Sequence, residues 1–155
     1  MLTNNMINQK GVLPFFMATT NAKLPNVTGD GTQYKVVYNT ELYDNTSSFS
    51  STTFTAPLSG IYHFNLSLYL LYLIGSTHVR ISLFVNATEY YMTFIDTWAN
   101  GLAYDQSSSL IVPLTAGDTV DSRVKVSGTT KSISIYNIGV GSISPIFSGY
   151  MIAGI

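Results

Sequence analysis

Apolar and polar positions alternate along most of the chain. In GIYHFNLSLYLLY, residues Tyr62, Phe64, Leu66, Leu68 and Leu70 are interleaved with His63, Asn65, Ser67 and Tyr69. Successive side chains of an extended backbone point to opposite faces, so this stretch reads as a long strand with one face in a core. The same alternation recurs in HVRISLFV (Val79, Ile81, Leu83 and Val85 against Arg80 and Ser82) and in SSSLIVPL (Leu110, Val112 and Leu114). DTVDSRVKV aligns Val120, Val124 and Val126 against Asp121, Arg123 and Lys125, and KSISIYNI aligns Ile133 and Ile135. No window of helical length shows a period of 3.6 residues. Gly and Pro break the chain at short intervals. In the loop APLSG, Pro57 and Gly60 separate a short strand ending at Ala56 from the long one. Short strands with regular turn signals predict an all-β sandwich or barrel of roughly ten strands.

Composition adds limits. The chain has 155 residues, which suits one domain with a full core. Charged residues make up 10%, against about 25% in an average domain, so Ser, Thr, Asn and Gly must supply the polar surface. Net charge is −1 and the Lys and Arg residues are scattered singly, which argues against nucleic-acid binding. The absence of Cys rules out disulfides and thiolate metal sites. The segment MLTNNMINQKG is polar and lacks the apolar region of a signal peptide. The longest apolar run, Leu68 to Ile74, is too short to span a bilayer as a helix, so no membrane insertion is expected.

The stretch FTAPLSGIYHFNLSL resembles the signature of the C1q/TNF-like jelly-roll superfamily, in which an aromatic strand precedes Gly-x-Tyr-x-Phe in the central strand. Phe54, Gly60, Tyr62 and Phe64 match it. Upstream, Tyr38, Asp44 and Phe49 fit the aromatic, Asp/Asn and aromatic positions, with a shorter gap before Phe54. FFMATT resembles the first strand, SSSLIVPLTAGDTV the apolar strand with its Gly-Asp turn, and IFSGYMI the last strand. The stretch SGTTKSISIYNIGVGSISP before the last strand looks like an insertion. The resemblance covers most of residues 13 to 152, so residues 12–155 are expected to form the jelly-roll domain and 1–11 an N-terminal arm.

The resemblance implies a homotrimer in which the sheet of the central and last strands faces the threefold axis. By that implication His63, Asn65, Ser67, Ser107, Ser109, Ile111, Phe147 and Met151 form the subunit interface. Ile111, Phe147 and Met151 would make an apolar collar beside a wetter segment. Three copies of His63 near an axis would hold a metal or an anion or act as a pH-sensitive joint; otherwise His63 is an ordinary hydrogen-bonded interface residue. His78 reads as a surface residue.

Enzyme chemistry is poorly supported. There are two His, no Cys nucleophile, no HExxH and no nucleophile elbow. Some relatives bind Ca²⁺ through loop carboxylates, but no loop here has a dense Asp/Asn ligand run, and TGDG reads as a plain turn. No cofactor is expected. The loop from Ala99 to Gln106, with Trp98, Asn100, Tyr104 and Asp105, is the best candidate for a recognition tip, because flat rings give contact area at low entropic cost. Sequons at Asn26, Asn45, Asn65 and Asn86 fit chance in an Asn- and Thr-rich chain.

The expected function is a non-enzymatic trimeric head or decoration protein on a virion surface, in a phage capsid, tail or fibre, serving attachment or shell reinforcement. The chain starts at Met1 without a signal peptide or a collagen-like Gly-X-Y stalk. A polar arm frays unless something ties it down, so Leu2, Met6 and Ile7 are expected to anchor the head to a larger protein assembly. A host-surface protein or glycan is the expected outer partner. The alternative is a secreted, extracellular C1q-like recognition domain or cytokine-like ligand.

Overall fold

The structure, a computed structural model, describes residues 13–97, 103–137 and 145–155. The described residues form thirteen strands and two sheets. In chain order the strands are β1 (Phe15–Thr19), β2 (Leu24–Thr28), β3 (Gln33–Lys35), β4 (Thr40–Asp44), β5 (Phe49–Ser50), β6 (Thr53–Thr55) and β7 (Gly60–Leu71). They continue with β8 (His78–Val85), β9 (Thr88–Asp96), β10 (Ala103–Leu114), β11 (Thr119–Ser127), β12 (Ile133–Ile135) and β13 (Ile146–Gly154). The count exceeds the expected ten because β3, β5, β6 and β12 are two or three residues long. Alternation cannot show itself over so few positions.

One sheet runs β2-β12-β7-β13-β1-β4, with β10 along the other side of β7; the second runs β5-β6-β11-β8-β9, with β3 also on β11. Consecutive strands lie in different sheets at several points, as β1 and β4 do relative to β5 and β6. That crossing of the chain between two antiparallel layers is the jelly-roll arrangement. The alternation in β7 is complete: Tyr62, Phe64, Leu66, Leu68 and Leu70 are all buried. Val79, Ile81, Leu83, Val120, Val124 and Val126 meet them from the second sheet.

Phe16 is the hub of the core. Its ring stacks on Phe49 and Phe54 at centroid distances of 4.8 and 4.9 Å and meets Phe147 edge-on at 5.0 Å. Gly149 makes room for this cluster. A Cβ there would sit 2.5 Å from Phe64 Cδ1 and 2.8 Å from Phe16 Cε1. Gly60 likewise serves close packing rather than a turn: a Cβ would lie 2.4 Å from Met151 Cε and 2.5 Å from the Ala153 carbonyl. Asp44 accepts the backbone N–H groups of Thr46 and Phe49 at 3.1 and 2.7 Å, so it shapes the turn from β4 into β5. The sequon residue Asn45 is engaged with the chain at β1, accepting Phe15 N–H and donating to the Leu13 carbonyl.

Tyr38 is fully buried and shares a 2.8 Å hydroxyl hydrogen bond with Ser122. Burial pushes its ionisation far above the ordinary value of 10.0, with the Ser122 bond opposing the shift. Burial raises Tyr34 and Tyr62 as well. A raised acid favours the folded state while it is neutral in both states. The unfolded chain therefore loses these protons first as pH climbs past 10.0, and stability falls from there, at up to about 1.4 kcal/mol per pH unit for Tyr38. Denaturant unfolding at a series of alkaline pH values should show this decline. In Tyr38→Phe the slope should be shallower, at a cost near neutrality of about 1–3 kcal/mol for the Ser122 hydroxyl left unpaired. An unchanged alkaline slope in that variant would refute the assignment.

Candidate subunit interface

The outer face of the first sheet follows directly from register. Phe15 pairs with Tyr150, Tyr150 with His63, and His63 with Ile111. Directly opposed residues share a face, so these four make one row across β1, β13, β7 and β10. The next row is Tyr43, Met17, Ser148, Asn65 and Ser109; beyond it lie Ile146, Ser67 and Ser107. On the other side Ile61 stands opposite Pro113, next to a register shift in β13 that carries Ile152. Among the described residues β10 pairs on one side only, so Pro113 lies on an edge strand, where a missing N–H is tolerated.

The face is therefore graded. One end carries Ile111 (61% exposed), Tyr150 (46%), Ile152 (45%) and Phe15 (43%), with Ile61 and Pro113 among them. The other end is hydroxyl- and amide-rich. Asn65, Ser67, Ser107, Ser108, Ser109, Leu66 and Ile146 line a groove of about 280 Å³ there. The His63 ring meets Tyr150 edge-on at 5.2 Å, and Asn65 Nδ2 lies 3.5 Å from His63 Nδ1. Ser67 donates to Asp105 Oδ1 at 3.4 Å.

Six of the eight residues expected at the interface share this outer face: His63, Asn65, Ser67, Ser107, Ser109 and Ile111. Phe147 and Met151 do not. They are 0% and 5% exposed and belong to the protomer core, opposite Leu66 and Tyr62. β13 has the reverse phase from the one expected, and Ser148, Tyr150 and Ile152 face outward instead. The alternation itself held the signal, since Gly149 is in phase with Phe147 and Met151, and a missing side chain marks the crowded inner face.

The expected recognition tip is also redrawn. Tyr104 and Asp105 lie within β10 rather than on a loop. Tyr104 packs at the core margin and donates to Gln106 Oε1 at 2.8 Å. Trp98, Asn100, Leu2, Met6 and Ile7 lie outside the described residues. On the second sheet, His78 Nδ1 is 2.5 Å from Asp96 Oδ1. Asp118 accepts from Asn86 and from Thr115 N–H, which lower its ionisation in that order of effect. Among the described residues no three His, Asp or Glu side chains converge as metal ligands, and no helix is long and apolar enough to cross a membrane.

Two antiparallel layers, a long central strand and a core of facing aromatics define a C1q/TNF-like jelly roll. Two solved structures share its course. The globular domain of zebrafish complement 1qA superposes with a TM-score of 0.61 at 19% identity, covering 92% of this chain and 99% of that one. Murine APRIL at pH 5.0 superposes with a TM-score of 0.59 at 10% identity, covering 91% of this chain and 100% of the other. The family model for the C1q domain matches residues 15–152, and the chain belongs to that family. No curated protein matches it in sequence.

Proposed function

We propose that the chain is one protomer of a non-enzymatic homotrimeric head that presents its outer surfaces for recognition. The exposed apolar end of the first sheet is the observation that carries this reading. Ile111, Tyr150, Ile152 and Phe15 form a contiguous band across β10, β13 and β1. A band of that size on an isolated protomer is unusual unless something covers it. Membership in the C1q domain family points to two further copies as the cover. In a closed ring each contact is heterologous, so the band on one protomer meets a different surface of the next. The polar end, with its serine groove, then becomes the wetter part of the seam, and His63 lies at the boundary between the two parts.

Light scattering at micromolar concentration should give three times the 16.9 kDa chain mass. A protomer mass would remove the basis of the proposal. Repeating the measurement under mildly acidic conditions separates the two readings of His63. A trimer that survives leaves it as packing against Tyr150; one that falls apart, with His63→Gln holding together, makes it a joint.

The setting we favour is the surface of a larger particle, with attachment or reinforcement as the task. Its support is compositional: a surface built from Ser, Thr, Asn and Gly with 10% charge. A chain truncated before residue 12 should still trimerise and should fail to decorate particles. Truncated trimers that still decorate would overturn the anchoring role of residues 1–11.

A further inference from the structure

The long strand β7 ends at a strained residue. Tyr72 follows Leu71 with a φ of 71°, a left-handed conformation that bulky side chains rarely adopt and that costs stability. Such an outlier persists only where its surroundings hold it, and it points to a functional position. Here the holding group is Lys23, just before β2. Its Nζ donates to the Tyr72 hydroxyl at 3.2 Å and lies 4.8 Å from the ring centroid. Tyr72 is nonetheless 47% exposed. Among the described residues no carboxylate lies within ion-pair distance of Lys23, so its remaining N–H groups are open to a ligand.

A second exposed tyrosine stands beside this pair. Tyr136 N–H donates to the Tyr69 carbonyl at 2.9 Å, which continues the register of Ser134 with Leu71 and Ile135 with Leu70. Leu70 and Ile135 are buried, so Tyr69 and Tyr136 take the outer face. Lys23 precedes Leu24, the partner of Ile135, and so lies next to Tyr136. Asp105 stands opposite Tyr69 on the other flank. Both β12 and Tyr136 come from the stretch SGTTKSISIYNIGVGSISP, which looks like an insertion into the family pattern. The cluster therefore belongs to this chain rather than to the shared fold. Its position suits recognition. The start of β1 lies in the row of His63, through Phe15 and Tyr150. β7 runs from that row to Leu71, about 26 Å away, past the serine groove and clear of the apolar band.

We propose that Tyr72, Tyr136 and Lys23 form a binding site for a neutral sugar. The inference rests on the reading of the chain as a recognition head and gives that head a ligand class. The rings take the C–H face of the sugar at low entropic cost. The phenol hydroxyls and the Lys23 ammonium stand at the rim for its hydroxyl groups. A nucleic acid or an acidic peptide would call for several cations. The cluster holds one, and the Asp105 carboxylate on the far side of Tyr69 offsets it.

Calorimetric titration of the full chain with lactose, maltose, chitobiose, mannobiose and hexaglutamate tests this. At least one of the sugars should bind at millimolar concentration, and hexaglutamate should bind at least about tenfold more weakly. Tyr136→Ser and Lys23→Met, which keeps the apolar stem, should each weaken that sugar by about tenfold or more. Tyr90→Ser, at an exposed tyrosine of the second sheet, should not. Tyr72→Phe keeps the ring and should retain part of the affinity. Tyr72→Gly separates function from packing, because glycine adopts the left-handed conformation without strain. That variant should lose the sugar by about tenfold or more while its thermal midpoint stays level or rises. A lowered midpoint would make the ring a structural contact and overturn the site. So would native affinity in Lys23→Met and Tyr136→Ser, hexaglutamate binding as tight as the sugars, or no binding of any sugar. A trimer that binds no sugar fails this site alone, and a sugar-binding protomer fails the seam alone, so the light-scattering mass keeps the two apart.

Discussion

Ile111→Asp should yield a folded monomer. In the protomer Ile111 is 61% exposed on edge strand β10, so a carboxylate there costs the isolated fold little. In the proposed trimer the same position lies in the apolar part of the seam, beside His63 and within reach of the Tyr150 row. Three copies of an unpaired carboxylate would have to leave water at once. Each such burial costs several kcal/mol even after local relaxation, and about 1.4 kcal/mol already weakens association tenfold. The trimer should therefore weaken by about a thousandfold or more, giving the protomer mass at micromolar concentration with an unchanged near-ultraviolet circular dichroism spectrum. Ile111→Val, which keeps most of the apolar area, should remain trimeric. A trimer that tolerates the carboxylate would place the seam on another surface.

Phe16→Ala should be the most damaging single truncation in the protomer. The ring is 2% exposed and contacts Phe49, Phe54, Phe64 and Phe147, which come from both sheets. Its removal loses transfer energy and leaves a cavity that four rings held by different strands cannot close. A loss of about 3–5 kcal/mol is expected. For a domain of this length that lowers the midpoint of thermal unfolding by roughly 10 °C. Calorimetry of Phe16→Ala beside Phe16→Leu checks it, since leucine refills much of the space and should recover more than half of the loss. Equal losses in the two variants would mean that ring stacking, not volume, holds the sheets together.

What could be read from the residues divides along physical lines. The long strands were legible because a half-buried strand must alternate: β7 and β10 do so over their full twelve residues, and β8 and β11 over part of their length before runs of buried positions interrupt them. The resemblance around Gly60, Tyr62 and Phe64 was legible for the same reason, as those residues are buried in phase along the central strand. The short strands were not, since a two-residue strand such as Phe49–Ser50 is defined by its partner and not by its own pattern. The phase of β13 was misread because Phe147 and Met151 were placed by analogy and not by alternation. Reading Gly149 as the sign of a crowded inner face would have set Tyr150 and Ile152 outward.

The edge position of β10 carries a cost that the proposed assembly would answer. Among the described residues, the twelve of β10 pair with β7 on one side and with no strand on the other, where Pro113 lacks a donor. Such an edge is a template for another extended chain, and it stands next to an exposed apolar band. A protomer released from its partners would expose both together, which is the combination that seeds fibrillar aggregation. Trimerisation would then act as a solubility device as well as a way of displaying surfaces, because it holds the concentration of free protomer low as the total concentration rises.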